Sequence, residues 1–175
     1  MVTADHNIIS PLQTERLTLH PCSAQIANLA YGGRRMMESL LNAHFIPDWL
    51  DDDGRALLSY YAHQLNHDPM MIGWGLWLIV VREQHCVIGS AGFKGKPSPD
   101  GTIEIGYGIA PSFRRQGYTF EAARALTEWA FAQPGVRRLT AEALYHNAGS
   151  IRILQKLGMR YTHRDGQYTK WELVK

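Results

Sequence analysis

The chain has 175 residues, of which 45% are hydrophobic and 19% charged, and its formal net charge is +2 at pH 7. The length predicts one domain whose core needs no disulfide or metal, and the composition excludes an intrinsically disordered chain. A net charge this small gives no argument of its own for nucleic-acid binding, and no direct nucleic-acid partner is expected.

Cysteine content and hydropathy indicate the compartment. Cys22 and Cys86 offer neither a disulfide framework nor a C-x-x-C spacing, which fits a reducing environment. The N-terminus has no basic region followed by an apolar stretch, so no signal peptide is predicted. The longest apolar run, Leu76–Val81, is far too short to cross a bilayer. We therefore expect a soluble cytoplasmic protein without a membrane partner.

The first part of the chain predicts a polar leader, one strand and three helices. Residues 1–11 form the leader, and residues 16–20 read as a strand with two leucines on one face. Ser23 can cap a first helix that a Gly-Gly pair ends. Residues 34–67 predict a second helix, an irregular bend, and a third helix whose cap comes from the acidic run at residues 51–53.

Two histidines in the third predicted helix have the spacing of metal ligands. His63 and His67 stand four residues apart, which places them on one face of the helix. The glutamate that follows the first histidine in zinc proteases is replaced by Gln64, and the sequence places no third ligand. No metal site is therefore predicted, and both histidines are interpreted as surface residues.

The remainder of the chain predicts a sheet with two further helices. The predicted strands before the C-terminal hairpin cover residues 74–82, 86–94, 102–109 and 138–143. The first of them is almost continuously apolar, which suits the centre of a sheet. A helix capped by Asn147 and ended by Gly158 follows, and a terminal hairpin turns across Asp165-Gly166.

Residues 102–133 form a unit of strand, basic loop and helix. Along residues 102–109, isoleucines and a tyrosine alternate with Glu104, Gly106 and Gly108, which is typical of a half-buried strand. The loop after the strand carries two adjacent arginines. Apolar residues then recur at helical spacing from Gly117 until a Pro-Gly pair ends the helix.

The start of this helix is a predicted anion site. The first backbone N–H groups of a helix lack intrahelical partners and carry partial positive charge. Gly117 has no Cβ to keep a ligand from the backbone, and Arg114 and Arg115 add full charges. The pattern is neither a Walker loop nor G-x-G-x-x-G. By spacing alone, it also fits an ordinary strand-to-helix turn with solvated arginines.

Three segments resemble one protein family. Residues 114–119, Arg-Arg-Gln-Gly-Tyr-Thr, resemble the acetyl-CoA signature Gln/Arg-x-x-Gly-x-Gly/Ala of the GNAT acetyltransferases. Residues 12–19 resemble the opening strand of the RimJ/RimL-like branch, which includes the ribosomal-protein alanine N-acetyltransferases. Residues 147–150, followed by 154–158, resemble the second cofactor motif of that branch. The three segments occur in the order of the family, although Thr119 stands where the family usually has Gly or Ala.

The resemblance implies an α/β fold. It would be a single GNAT-like domain over residues 12–175, with a mixed, largely antiparallel sheet of about seven strands flanked by helices. The family's sheet splays between two strands, here residues 102–109 and 139–143, and the pantetheine arm of acetyl-CoA lies in the gap. Gly106 and Gly108 would let that arm approach the backbone closely. Exposed strand edges in this fold can pair between subunits, which leaves a homodimer open.

The resemblance also assigns residues that bind acetyl-CoA as a co-substrate. Backbone groups of the splayed strand would pair with the pantetheine amides, and the N–H of Ile109 would stabilise the oxyanion. Asn147 would contact the arm from the other side of the gap in addition to capping its helix. The predicted cofactor-binding residues are Tyr107, Gly108, Ile109, Arg114, Arg115, Gln116, Gly117, Tyr118, Thr119 and Asn147.

Glu104 and Ser150 are the predicted catalytic residues. A carboxylate beside the gap can take the amine proton directly or through water, whereas the plainer interpretation of Glu104 is a pair with a basic neighbour or a solvent-facing side chain. Many family members carry a Tyr as acid where this chain has Gln155, and in the RimJ/RimL-like branch a Ser at the position of Ser150 is the alternative. The weaker candidates are His146 and Asp165 as base, and Tyr145 and Tyr161 as acid.

The predicted function is transfer of an acetyl group from acetyl-CoA to a primary amine by direct attack in a ternary complex. The acceptor is either a peptide or protein N-terminus or a small molecule such as a polyamine, an amino acid or an antibiotic. Candidate acceptor contacts are Phe45, Trp49, Tyr60, Tyr61, Asp51, Asp52 and Asp53. The alternatives are a non-catalytic acyl-CoA-binding module, which the departures at Thr119 and Gln155 allow, and a nucleic-acid binder using Arg114, Arg115, Arg137 and Arg138.

Overall fold

The computed structural model describes residues 9–175, so the first eight residues of the predicted leader lie outside the described range. The strands are β1 (Leu12–Gln13), β2 (Leu17–Pro21), β3 (His44–Phe45), β4 (Leu76–Val81), β5 (Cys86–Phe93), β6 (Thr102–Ile109), β7 (Arg138–Leu144), β8 (Arg160–Asp165) and β9 (Tyr168–Val174). The helices are α1 (Ala24–Ala27), α2 (Arg34–Leu41), α3 (Asp52–His67), α4 (Tyr118–Ala132) and α5 (Ala148–Lys156).

Within residues 9–175, the strands form one sheet in the order β1-β2-β4-β5-β6-β7-β9-β8, and β3 pairs with β5 outside this path. Neighbouring strands are antiparallel, except that β6 pairs with β7 and β3 with β5 in parallel. The two strands β1 and β3 contain two residues each, and the other seven are longer. The predicted mixed, largely antiparallel α/β fold is therefore confirmed.

Helices lie on both faces of the sheet. α4 packs against β2, β5 and β6, and α5 packs against β7. Phe93 of β5 stacks on Trp129 of α4, with 5.8 Å between the ring centroids. Because side chains alternate along a strand, the even-numbered residues near this end of β5 face the other side. On that side, which we call the groove face, Tyr60 of α3 lines a groove together with Ser90 and Gly106.

The local signals at helix starts are confirmed. Ser23, Asp51 and Asn147 each accept a hydrogen bond from the backbone N–H three residues further on, at 3.3, 2.9 and 3.1 Å respectively. These bonds satisfy N–H groups that the helix itself leaves free. Cys22 and Cys86 are buried free thiols. Among the residues described, no helix is both long and apolar enough to cross a membrane.

Three predicted details are wrong. α1 is a single turn, because Leu29 and Ala30 donate to carbonyls only three residues back, at 3.1 and 3.2 Å, and so tighten the chain after Asn28. The predicted irregular bend contains the two-residue strand β3, which pairs with β5. β8 extends to Asp165, which pairs with Tyr168, so the hairpin turn lies at residues 166–167.

Candidate active site

The sheet opens between β6 and β7. These strands pair only from Thr102 to Glu104, opposite Arg138 to Thr140, whereas β6 stays paired with β5 as far as Ile109. We call the opening beyond Glu104 and Thr140 the fork. The Lys94 N–H donates to the Glu104 carbonyl at 2.9 Å, which directs the backbone groups of even-numbered β6 residues towards β5. The backbone groups of odd-numbered residues therefore point into the fork.

This register separates the predicted backbone contacts on β6. Tyr107 and Ile109 direct their N–H and carbonyl groups into the fork, where β7 no longer pairs with β6. The Ile109 carbonyl accepts a hydrogen bond from Arg114 Nε at 3.2 Å. Gly108 pairs with Ser90 in the β5–β6 ladder, so its backbone groups point away from the fork. A Cβ built on Gly106 or Gly108 meets nothing within 4 Å.

The N-terminus of α4 lies at the end of the loop that leaves β6. Gly117 is its N-cap with φ 86°, and no side chain caps the helix by a hydrogen bond. Arg115 also has a positive φ, of 62°. Gly117, Arg114, Arg115 and Gln116 are exposed, and Thr119 lies partly buried in the first turn. The uncapped N–H groups and exposed guanidinium groups give the geometry of an anion site.

Arg16 is a further cation at this helix start. Its Nη1 donates to the Gln116 carbonyl at 3.0 Å, and its guanidinium lies 4.3 Å from the centre of the Tyr118 ring. A Cβ added at Gly117 would lie 3.2 Å from Nη2 of Arg16. Arg16 lies within the opening segment that carries the family resemblance, but the sequence gives no sign that its side chain reaches α4.

Glu121 of α4 holds Arg16 in place. Its carboxylate accepts from the Arg16 backbone N–H at 2.8 Å and from Arg16 Nε at 2.7 Å, and Thr14 Oγ1 donates to it at 2.6 Å. Burial raises the pKa of Glu121, but the hydrogen bonds from Thr14 and Arg16 outweigh burial and lower the pKa below its usual value. Glu121 is therefore ionised at neutral pH and fixes the guanidinium beside the helix start.

α5 borders the fork on the side opposite β6. The Tyr107 hydroxyl donates to the Ser150 carbonyl at 3.3 Å, and Asn147 caps the helix at the Ser150 N–H. Burial raises the pKa of Tyr107 to about 12, against a smaller lowering by its bond to Ser150. The structure thus brings Tyr107, Asn147 and Ser150 together at the fork. From the sequence, only the backbone of Tyr107 was assigned a role; the structure shows that its phenol is a hydrogen-bond donor at the fork as well.

A groove of about 1110 Å³ lies on the groove face and reaches the fork. Its floor is nearly bare of side chains because Gly92, Gly106 and Gly108 lie there beside Ser90. The predicted acceptor contacts that line the groove are Trp49, Asp51, Asp53, Tyr60 and Tyr61. Asp52 is not among its lining residues, and Phe45 is fully buried under Trp49, with 5.6 Å between the ring centroids.

Glu104 belongs to a chain of alternating charges at the base of the fork. Nζ of Lys94 lies 2.5 Å from Glu104 Oε1 and 3.0 Å from Glu142 Oε1, and Nζ of Lys170 lies 2.5 Å from Glu142 Oε2. Hydrogen bonds from Lys170 and Lys94 lower the pKa of Glu142. Burial lowers the pKa of Lys94, but its bonds to both glutamates outweigh burial and raise it. The plainer interpretation of Glu104, a pair with a basic neighbour, is thus present in the structure.

The weaker catalytic candidates are all exposed, and Asp165 is the last residue of β8. Tyr145 is exposed under the Arg164 guanidinium at 4.2 Å, and Tyr161 is exposed beside Trp171 at 5.7 Å between ring centroids. His146 is exposed next to Tyr145. Within residues 9–175, no group of three His, Cys, Asp or Glu residues is placed to hold a metal ion.

A forked sheet, an arginine-flanked helix start with the geometry of an anion site and an adjoining groove define the class of α/β protein to which this chain is compared. Residues 16–160 match the sequence model described as "Acetyltransferase (GNAT) domain". The chain therefore belongs to the GNAT acetyltransferase family, as the resemblance predicts, and is an acyltransferase.

Individual relatives agree with this assignment. YjdG of Bacillus subtilis (strain 168), named an uncharacterized N-acetyltransferase, is 31% identical over 163 residues, which are 93% of this chain and 97% of YjdG. Two solved structures share the fold. Ribosomal-protein-S5-alanine acetyltransferase from Vibrio fischeri has a TM-score of 0.67 at 14% identity, covering 95% of this chain and 97% of its own. RimL, a ribosomal L7/L12 alpha-N-protein acetyltransferase in complex with coenzyme A, has a TM-score of 0.66 at 14% identity, covering 94% and 98%.

Proposed function

We propose that this protein transfers an acetyl group from acetyl-CoA to a primary amine, and that the amine attacks directly while both substrates are bound. The observation that carries the proposal is the row of backbone groups at Tyr107 and Ile109 that the diverging β7 leaves facing the fork. That row lies between the cationic start of α4 and the groove, so one ligand can reach from the first to the second.

The residues present fit acetyl-CoA. Its pantetheine amides need alternating donors and acceptors, which the edge of β6 that β7 leaves offers at Tyr107 and at the Ile109 N–H. Its pyrophosphate needs cations and free N–H groups, which Arg114, Arg115 and the start of α4 supply. Arg16 adds a third guanidinium. Gln116, Gly117, Tyr118 and Thr119 form the same turn, and Asn147 at the start of α5 would contact the arm.

The chemistry that acetyl-CoA supplies is a thioester carbonyl open to attack by an amine. In our proposal the Ile109 N–H donates to the oxyanion as charge develops there. Glu104 takes the amine proton through water, because it precedes Ile109, the oxyanion donor, by five positions along β6. Ser150 lies on the opposite side of the fork, where it orients a proton towards the departing sulfur.

The groove supports a peptide or protein N-terminus as acceptor. The groove passes Gly106 and Gly108, where a Cβ would meet nothing within 4 Å, so there is room for the backbone of a peptide. RimL, which shares the fold, is named for acetylating an alpha amine of a ribosomal protein. A polyamine is the second candidate, because Asp51 and Asp53 line the groove and can bind a second cationic group.

A thiol-release assay tests this proposal. Acetyl-CoA is incubated with the protein and a panel of amines: short peptides with free Ala, Ser or Met N-termini, the same peptides with blocked N-termini, spermidine and lysine. We expect release of CoA with the free peptides and none with the blocked ones. Binding of acetyl-CoA without turnover on any amine would contradict the proposal and favour an acyl-CoA-binding module. Pairing of exposed strand edges in a homodimer stays open, and light scattering after gel filtration checks it.

A further inference from the structure

One face of α3 presents a pair of large apolar side chains to the groove. The core face of the helix is buried through residues such as Leu58 and Tyr61. Leu57 and Tyr60 lie beside it, three residues apart and therefore neighbours on the helix surface, and both line the groove. Within residues 9–175 they stay 41% and 65% exposed. An apolar pair that lines a groove is typical of a binding surface.

The floor of the groove beside this pair carries almost no side chains. Gly92 and Gly106 pair in the β5–β6 ladder, and Gly108 is the next residue on the same face of β6. A Cβ at Gly106 or Gly108 would meet nothing within 4 Å. The space between α3 and the sheet is therefore open to an apolar group, which could lie on the bare backbone and cover the pair.

The first turn of α3 lies at the Ile109 end of the groove. Just before the helix, the Asp48 carboxylate accepts a hydrogen bond from the Ser112 N–H at 3.2 Å. Ser112 follows Ile109 by three residues, and both Asp48 and Ile109 line the groove. Asp53, in the first turn of the helix, lines it as well. The acidic start of α3 is thus at the end of the groove to which the proposed reaction assigns the oxyanion.

The middle of α3 lies at the level of Gly106. The ring of Tyr61 occupies the space that a Cβ on Gly75 would need. The Gly75 carbonyl accepts a hydrogen bond from the Phe93 N–H at 3.0 Å, and Phe93 follows Gly92, the ladder partner of Gly106. Because its start lies near the end of β6, α3 runs along the groove in the direction opposite to that strand.

The apolar pair is therefore within reach of an acceptor bound for reaction. Along the axis of α3, Leu57 lies about 6 Å and Tyr60 about 10 Å beyond Asp53. Along β6, the step from Ile109 back to Gly106 also covers about 10 Å. An amine that attacks beside the Ile109 N–H thus has the side chain of its own residue next to Leu57, with Tyr60 one turn further along the groove.

We propose that Leu57 and Tyr60 select acceptors with a large apolar side chain next to the amine, and that the preferred acceptor is a peptide N-terminus beginning with Met, Leu or Phe. This inference rests on the proposed amine acetylation and deepens it. The cationic amine approaches the acidic start of α3 while its side chain covers the apolar pair, so one ligand complements both parts of the groove. A polyamine complements only the charge.

A series of peptides with one varied residue tests the proposal. Release of CoA is measured with Xaa-Gly-Gly amides, in which Xaa is Ala, Ser, Met, Leu or Phe, and with spermidine. We expect kcat/KM for the Met, Leu and Phe peptides to exceed that for the Ala peptide roughly tenfold or more, because each further buried CH₂ improves binding about fourfold. Equal values, or a preference for the Ala peptide or spermidine, would overturn the proposal.

Two pairs of substitutions attribute the preference to this face of α3. Tyr60→Ala and Leu57→Ala should each lower the ratio of kcat/KM between the Phe and Ala peptides by roughly threefold or more. Tyr31→Ala and Leu40→Ala are matched controls, because these side chains are 68% and 41% exposed and neither lines the groove. Both controls should keep the wild-type ratio. A ratio that survives in Tyr60→Ala and Leu57→Ala, or that falls equally in the controls, would overturn the assignment.

Binding without turnover separates this inference from the proposed function. Phe-Gly-Gly amide and Ala-Gly-Gly amide are titrated calorimetrically into the full chain with saturating CoA, which carries no acetyl group. The Phe peptide should bind roughly tenfold more tightly, with a more negative heat-capacity change that Tyr60→Ala reduces, because apolar surface is buried. Equal binding of the two peptides overturns the inference even if the protein acetylates both. Preferential binding without turnover contradicts only the proposed function.

Discussion

Replacement of Glu121 by alanine should destabilise the protein and loosen the start of α4. The substitution removes three hydrogen bonds to one carboxylate, two from Arg16 and one from Thr14. Bonds to a charged group contribute about 1.5–3 kcal/mol each, but the Arg16 side chain is 40% exposed, so its share is reduced by solvent. Thr14 can also still donate to the Leu17 carbonyl at 3.3 Å. We therefore expect a loss of about 2–3 kcal/mol.

Urea unfolding at pH 7 measures this loss directly, and in a chain of this length it corresponds to a Tm lower by roughly 4–12 °C. The matched control is Glu128→Ala on the same helix, where the carboxylate is 71% exposed and lies 3.7 Å from Arg124, so the change should stay within about 0.5 kcal/mol. Equal effects of the two substitutions would refute the reasoning that Glu121 fixes Arg16 at the helix start.

The pH dependence of this contribution has a definite sign. The folded protein lowers the pKa of Glu121, so the contribution is fully present above the pKa of the unfolded chain, about 4.3. It is lost as the pH falls through the lower pKa of the folded state. The difference in unfolding free energy between wild type and Glu121→Ala should therefore be constant from pH 7 to about pH 5 and shrink below about pH 4.

Three further substitutions separate folding from function. Gly106→Ala should leave the Tm within about 2 °C of wild type, since its Cβ meets nothing within 4 Å, but should raise the acceptor KM in the thiol-release assay because the methyl group enters the groove. Asn147→Ala removes a helix cap and should cost about 1 kcal/mol by urea unfolding, with Asn147→Ser restoring most of it. Ser150→Ala keeps the capped N–H, so the Tm should hold while kcat falls by roughly tenfold or more; an unchanged kcat would remove Ser150 from the catalytic residues.

Much of the fold follows from local signals in the sequence. The alternation along β6, the positive φ at Gly117 and the three polar caps each depend on residues within one turn or one strand, so pattern and residue type suffice to place them. The strand–loop–helix unit at residues 102–133 was therefore predictable within a few residues. The fork between β6 and β7 was predictable as well, because the family resemblance implies a sheet that splays between these two strands.

The site depends on contacts that local patterns do not encode. Glu121 and Arg16 are separated by 105 residues and meet because β2 and α4 pack together. Lys94 reaches Glu104 because the register of β5 on β6 places them opposite each other, and a slip of one residue would have put them on opposite faces. The same register turns the Gly108 backbone towards β5. The single-turn α1 results from tightened bonds at Leu29 and Ala30, which no residue type there requires.

Thermal unfolding with and without acetyl-CoA tests the central claim most directly. A ligand at about 100 times its Kd adds about 2.7 kcal/mol, so wild type should unfold roughly 5–10 °C higher in acetyl-CoA. The shift should vanish in the double variant Arg114→Ala/Arg115→Ala and persist in Arg124→Ala, which removes an exposed arginine elsewhere on α4. A folded wild type that shows no shift, or a shift that survives loss of Arg114 and Arg115, would contradict binding of acetyl-CoA at the start of α4.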